Sequence, residues 1–407
     1  MARSLSLATY LAFARRQPVA NAPEQSARPI GELVWVHCSE PPRARSAARL
    51  GQRLTRQRPG SSLLLTVSEA KSQAHVQNDK AISATLPSEH PHDVRRFLEH
   101  WQPDLMIWMG PWLRPSLIEE AYRRSIPSIL LEADTPGVEK QLWRWSPEPT
   151  RATLERFSVI LAVNEAATAR LRRTLPNPGP VIKTSGKVQE DNPVLPCRDE
   201  YLEEVRVALG GRPVWLAAYV QPQELPVILA AYRKVLKLSH RMLLIVVPDK
   251  PVHVQNMREM IARSELRLAE WDDGIFPDDN THVLLTETTD ELGLWYRIAP
   301  ITFMGASLVP GTGGYDPLEP ASLGSAILYG PNVRRHLESF SRLAEAGGAR
   351  IVNDAASLTA ALTQLTAPDQ VAAMAHAGWQ VISEGAEITD EIVTLSHRLL
   401  DERETAA

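Results

Sequence analysis

At 407 residues the chain exceeds one ordinary domain, so two domains of about 180 residues each are expected, each able to bury its own core. A net charge of -4 with 23% charged residues excludes the electrostatic footprint of a nucleic-acid binder and leaves no polybasic stripe for a membrane. Two cysteines, Cys38 in an apolar run and Cys197 in a proline-rich segment, support neither a disulfide framework nor a zinc cluster and fit a reducing compartment.

The first element, Leu5 to Ala14, is about half the roughly 20 apolar residues needed to span a bilayer. Flanked by Arg3, Arg15 and Arg16, it either lies in an interface as a short amphipathic helix or packs on its own domain. A signal peptide is excluded for want of a small-residue cleavage site before Pro18. Residues 18–29, rich in Pro, Ala, Ser and Gln, read as a linker.

Short apolar runs then alternate with helix-period segments. Leu33 to Val36, Ser62 to Val67, Leu105 to Met109, Ser128 to Leu131 and Val159 to Val163 read as strands, with helices at Ala44 to Arg58 and Asp93 to Trp101. Such alternation predicts a parallel sheet covered on both faces. A second series has strands at Val214 to Ala218, Met242 to Val247, Val283 to Thr286, Ile301 to Met304 and Ala326 to Tyr329. Residues 186–211, marked by Pro193, Pro196, Cys197 and Gly210, read as a connector. The expected division is an N-terminal helix and linker (1–29), a first Rossmann-like domain (30–185), the connector, a second Rossmann-like domain (212–370) and a terminal helical segment (371–407).

The stretch FMGASLVPGTGGYDPLEPASLGSAILYGP, Phe303 to Pro331, carries the most chemistry. A buried strand from Phe303 runs into a turn where Gly311, Gly313 and Gly314 let backbone N–H groups approach a phosphate, and Glu319 opens the next helix, placed to grip ribose hydroxyls. The plain alternative is a glycine-rich turn that shapes a loop and binds nothing.

This stretch resembles the nucleotide-binding signature of the bacterial 3-deoxy-D-manno-octulosonic acid (Kdo) transferases, which move Kdo from CMP-Kdo onto a lipid A precursor. The similarity extends through VWVHC at Val34, PDLMIWM at Pro103, SIPSILLEA at Ser125, RPVWLAA at Arg212, LLIVVP at Leu243 and TTDELGLWYRIAPITFMGASL at Thr288. It implies an α/β fold of GT-B type, with two doubly wound domains facing a cleft, and a terminal helix packing back across the hinge. It further implies a glycosyltransferase of lipopolysaccharide biosynthesis without cofactor or metal. The expected location is the cytoplasm, with at most peripheral contact at the inner membrane.

By the same resemblance Gly305, Ser307, Gly313 and Gly314 hold the donor's phosphate, Glu319 the ribose, and Trp112 and Arg114 lie on the acceptor side. The catalytic positions depart from the family. The turn expected to carry the base reads Cys38, Ser39, Glu40, Pro41, Pro42, Arg43, and an ungapped alignment puts Arg43 where the base, a glutamate, belongs. Either Glu40 substitutes for it, or base catalysis is lost, since arginine accepts no proton at neutral pH. Gly110 to Pro115 lacks the acceptor loop's two carboxylates, and Glu132, Ala133 and Asp134 replace Asn-Ala-Arg. Gln189 replaces a lysine, Tyr219 to Glu224 replace Ser-Thr-His-x-Gly-Glu, and Tyr315 and Asp316 replace His-Asn. Asp249 stands where the family has a phosphate-holding arginine, and Lys250 beside it is the remaining cation.

This pattern, with strands and glycines kept and polar catalytic groups changed, admits three readings: an active transferase, a binding or regulatory paralogue without activity, and a transferase with a changed donor or acceptor. His90 and His92 read as a surface loop, not a metal pair, and His282 as a strand-edge histidine. Trp108 reads as strand core, while Trp112, Trp143 and Trp145 are candidates for a ligand or partner surface.

Overall fold

The computed structural model describes residues 5–19, 26–40, 43–68, 81–138, 149–175, 179–188, 194–271 and 276–406. The chain divides into two compact units, residues 1–191 with 385–407, and residues 192–384. The strands among the described residues are, in chain order, β1 (Glu32–Cys38), β2 (Ser61–Val67), β3 (Ala81–Ser83), β4 (Leu105–Met109), β5 (Trp112–Leu113), β6 (Ser128–Ala133), β7 (Gly137–Val138), β8 (Val159–Ala162), β9 (Val181–Thr184), β10 (Val214–Val220), β11 (Leu243–Pro248), β12 (Leu268–Glu270), β13 (Val283–Leu285), β14 (Ile301–Met304), β15 (Ala326–Tyr329) and β16 (Ala349–Ile351).

The first unit holds a seven-stranded sheet in the order β3-β2-β1-β4-β6-β8-β9, parallel throughout. Its central strands β4, β6 and β8 are buried along their length because both faces are covered. Val34, Val36 and Cys38 of β1 face the helix Ala44–Gln57 and the C-terminal residues Ile392, Val393 and Leu399. Leu33 and Trp35 point the other way, into a core shared with the helices Pro91–Trp101 and Pro115–Arg123. Trp108 is fully buried there, as its place in β4 predicts.

The N-terminal helix, Leu5–Ala14, packs on the helices Pro115–Arg123 and Thr150–Leu154. Leu7, Tyr10 and Ala14 are buried, and the Tyr10 hydroxyl donates to Glu89 Oε2 at 3.0 Å. No helix among the described residues is long and apolar enough to cross a membrane. The helix Pro91–Trp101 begins with Pro91, and the His90 imidazole accepts from the His92 amide at 3.2 Å, so this pair serves as a helix cap. Among the described residues no group of three His, Cys, Asp or Glu side chains is placed to hold a metal.

The second unit repeats the design as β12-β13-β11-β10-β14-β15-β16, again parallel throughout. Trp215, Leu244, Val246 and Phe303 face one core, and Leu216, Ile245, Val247 and Leu284 the other. Residues read from the sequence as connector include a helix, Asp199–Leu209, whose Leu202, Val205 and Leu209 pack into this second core. The terminal helix is longer than its periodicity suggests, Pro368–Ala406.

The strand order reverses between β1 and β4 in the first unit and between β10 and β14 in the second, where β12 additionally lies outside β13 at the far edge. Loops leaving the carboxyl ends of such neighbouring strands diverge, and the crevice between them is where ligands of doubly wound sheets bind.

Candidate functional site

At the reversal in the first unit, the β1 and β4 loops are stitched together. The Ser39 amide donates to Met109 O at 2.9 Å, and the Trp112 amide to Ser39 Oγ at 3.3 Å. Glu40 lies against Gly110, at which a Cβ would come within 2.4 Å of Ser39 Oγ and 3.4 Å of Glu40 Cγ. Gly110 has φ +102, a conformation that suits glycine. Trp112 is 39% exposed, and its carbonyl accepts from the indole of Trp108 at 3.0 Å. Trp143, Trp145 and Gln189 lie outside the described residues.

Arg43 occupies a different environment from Glu40. Its guanidinium donates to Glu132 Oε1 and to Val188 O, while the Val188 amide donates to the same Glu132 oxygen at 2.8 Å. The ion pair is largely desolvated, with side chains 17% and 6% exposed. Burial pushes the Glu132 carboxyl up, and the Arg43 charge opposes that shift. Glu132 sits at a left-handed φ of 57 where the β6–β8 register shifts, so an irregular backbone aims the carboxylate.

Arg114 is near two buried titratable groups. His37, its ring tilted 50° against that of Trp108 with centroids 4.1 Å apart and hydrogen-bonded through Nδ1 to Thr66 Oγ1 at 2.9 Å, is held down to about 3 by burial and then by the Arg114 charge. Glu89 is pushed up by burial, against the pull of Arg114, and accepts from Tyr10 and from the Ser116 amide at 2.9 Å.

In the second unit, the glycine-rich loop after β14 is organised by a residue the sequence reading passed over. Glu224 is fully buried, and its carboxylate accepts from the amides of Gln221 at 3.0 Å, Ala306 at 2.7 Å, Ser307 at 2.9 Å and Leu308 at 2.8 Å. The one signal for it was that this glutamate persists in an otherwise rewritten loop. Gly305 is required by a close approach, since a Cβ would come within 2.5 Å of Tyr219 O. Ser307 is buried and accepts from the Gly330 amide at 2.8 Å. Gly313 and Gly314 have φ of +84 and +81 and lie against Arg335 and Val333.

Glu319, half-buried in the helix Leu318–Ser322, accepts from the Tyr219 hydroxyl at 3.0 Å. Tyr219 stacks flat on Tyr315, with ring centroids 3.9 Å apart and planes 6° from parallel. Burial, followed by the Glu319 charge, pushes the Tyr219 phenol up. Asp249 is paired: His253 Nδ1 lies 2.5 Å from its Oδ1, and Gln221 Nε2 reaches its Oδ2 at 3.5 Å and Thr312 Oγ1 at 2.5 Å. Lys250 is exposed at the head of the turn Pro251–His253. The loops therefore bring Gly305, Ser307, Gly313, Gly314 and Glu319 together in this unit, while Glu40, Trp112 and Arg114 belong to the first.

A family model described as 3-deoxy-D-manno-octulosonic-acid transferase (kdotransferase) matches residues 11–190. A 3-deoxy-D-manno-octulosonic acid transferase of Haemophilus influenzae is 25% identical over 376 residues, covering 90% of this chain and 87% of that protein. The chain is thus similar to the Kdo transferases over most of its length. A probable mitochondrial Kdo transferase of Arabidopsis thaliana is 26% identical over 331 residues, 78% of this chain and 72% of that one. Among solved structures, MurG of Acinetobacter baumannii aligns with a TM-score of 0.50 at 13% identity over 90% of this chain and 99% of its own, a likeness of fold alone. The fold is thus the two-domain GT-B type of glycosyltransferases. In this chain the position expected to carry the base holds Arg43, paired with Glu132.

Proposed function

We propose that this chain is a glycosyltransferase of lipopolysaccharide assembly that moves Kdo, or a closely related acid sugar, from a CMP-sugar to a lipid A precursor. The observation that carries the reading is Glu319, a half-exposed carboxylate beside the glycine-rich loop at the strand-order reversal of the second unit. In this reading Glu319 takes the ribose hydroxyls. Gly313 and Gly314 bring the loop to the phosphate, with Gly305 and Ser307 holding its backbone and Lys250 supplying a cation. Trp112 and Arg114 lie on the acceptor side, and any membrane contact is peripheral. The proton acceptor is a group other than residue 43, and Glu40 is the first-unit candidate.

A specific observation favours a second reading, a binding or regulatory paralogue without turnover: the Arg43–Glu132 ion pair where the family base belongs. Transfer from CMP-Kdo to a lipid A precursor, followed by mass spectrometry beside an active Kdo transferase, separates the two. Product that is lost in Glu319→Gln supports the transferase. No product from the wild-type chain, with the control active and CMP bound in calorimetry, counts against Kdo transfer to lipid A precursor and leaves the paralogue or a changed substrate.

A further inference from the structure

The second unit contains an Asp–His pair that none of the expected site residues explains. Asp249 follows the carboxyl end of β11, and its side chain is only 1% exposed. Its amide donates to Val220 O at 3.0 Å, one oxygen meets His253 Nδ1 at 2.5 Å, and the other faces Gln221 Nε2. The carboxylate is thus fixed on several sides. His253 ends the turn Pro251–His253, and its side chain is 29% exposed.

A buried carboxylate on Nδ1 fixes the imidazole tautomer, with the proton on Nδ1 and the lone pair on Nε2. The same amide of Gln221 that touches Asp249 also touches Thr312 Oγ1, so the pair is one side chain away from the glycine-rich loop. Tyr315, stacked on the partner of Glu319, feels the Asp249 charge as well. Buried carboxylate, oriented imidazole and nucleotide loop form one connected edge.

We infer that Asp249 and His253 form a proton-transfer dyad in which His253 Nε2 accepts the proton of the attacking hydroxyl. This rests on the transferase reading above. The acceptor's hydroxyl oxygen bonds to the anomeric carbon, and the bond from that carbon to the donor phosphate breaks, its electron pair leaving with CMP. The hydroxyl proton passes to Nε2, and the imidazolium formed faces the Asp249 carboxylate. Asp249 is a positioning residue.

The test compares the wild-type chain with His253→Gln and Asp249→Asn, reading CMP release from CMP-Kdo with a lipid A precursor, and diethyl pyrocarbonate modification of each histidine by mass spectrometry. Circular dichroism confirms folding, with His253→Asn as a second variant. The dyad predicts a fall in kcat of about 100-fold or more in His253→Gln with little change in KM. It also predicts that His253 reacts faster than His92, although the His92 side chain is 61% exposed and exposure alone gives the opposite order. Asp249→Asn should abolish that lead. Normal turnover in His253→Gln overturns the dyad and leaves the transfer reading intact. No turnover in any chain, with the His253 lead present and dependent on Asp249, sinks the transfer reading and keeps the oriented base; no turnover and no lead overturns both.

Discussion

Arg43 and Glu132 form a buried ion pair that also holds both backbone groups of Val188. Each charge depends in large part on the other, because the side chains are only 17% and 6% exposed. Removing one partner leaves the other buried and unpaired, a cost of about 3 to 5 kcal/mol, whereas replacing both by apolar residues is close to neutral. Urea unfolding should therefore show Arg43→Ala and Glu132→Ala each strongly destabilised and Arg43→Met with Glu132→Leu near wild type. Two single variants that unfold with the wild type would deny the pair this role.

Glu224 gathers four backbone amides with one carboxylate. Hydrogen bonds to a charged acceptor contribute about 1.5 to 3 kcal/mol each in such settings, and Gln offers one neutral oxygen in place of two charged ones. Glu224→Gln should speed hydrogen exchange at Ala306, Ser307 and Leu308 by at least an order of magnitude, leaving the first unit unchanged. Unaltered exchange at these amides would show that the loop holds its shape without the charge.

Tyr10 ties the N-terminal helix to Glu89. Loss of one hydrogen bond to a buried carboxyl group costs about 1 to 2 kcal/mol, enough to raise local opening of a short helix several-fold. Limited proteolysis should cut Tyr10→Phe near residues 15–19 faster than wild type. Equal cutting rates would mean that apolar packing of Leu7 and Ala14 holds the helix by itself.

His37 titrates at about 3 in the fold against an ordinary 6.5, because burial and Arg114 disfavour its charged form. Between those values the unfolded chain binds a proton that the folded chain refuses. This contribution is present above pH 6.5 and is lost on acidification, at up to about 1.4 kcal/mol per pH unit. His37→Phe should lose less stability than wild type between pH 6.5 and 4.5. Parallel stability curves would contradict this assignment.

The central strands were legible because burial on both faces forces continuous apolar runs; β4 and β15 match their expected bounds residue for residue. Edge strands were not. β3, β9, β12 and β16 are short, and most of their residues are partly exposed, so no apolar run betrays them. In the site, the glycines and Glu319 were visible through spacing and chemistry. Glu224, Glu132 and His253 were not, because each acts through a partner that periodicity does not reveal.

By itself the chain's order of residues determined the two parallel sheets, the glycine-rich loop, the resemblance to a family and the absence of a carboxylate at position 43, since these depend on side-chain type and near-neighbour spacing. Only tertiary structure decided that Arg43 meets Glu132, that Glu224 holds the loop amides, and that Tyr219 joins Tyr315 to Glu319. Such pairings cross about 80 to 100 residues of chain and form where parallel strands bring distant loops to one edge, a consequence of register and bulge geometry rather than of local pattern.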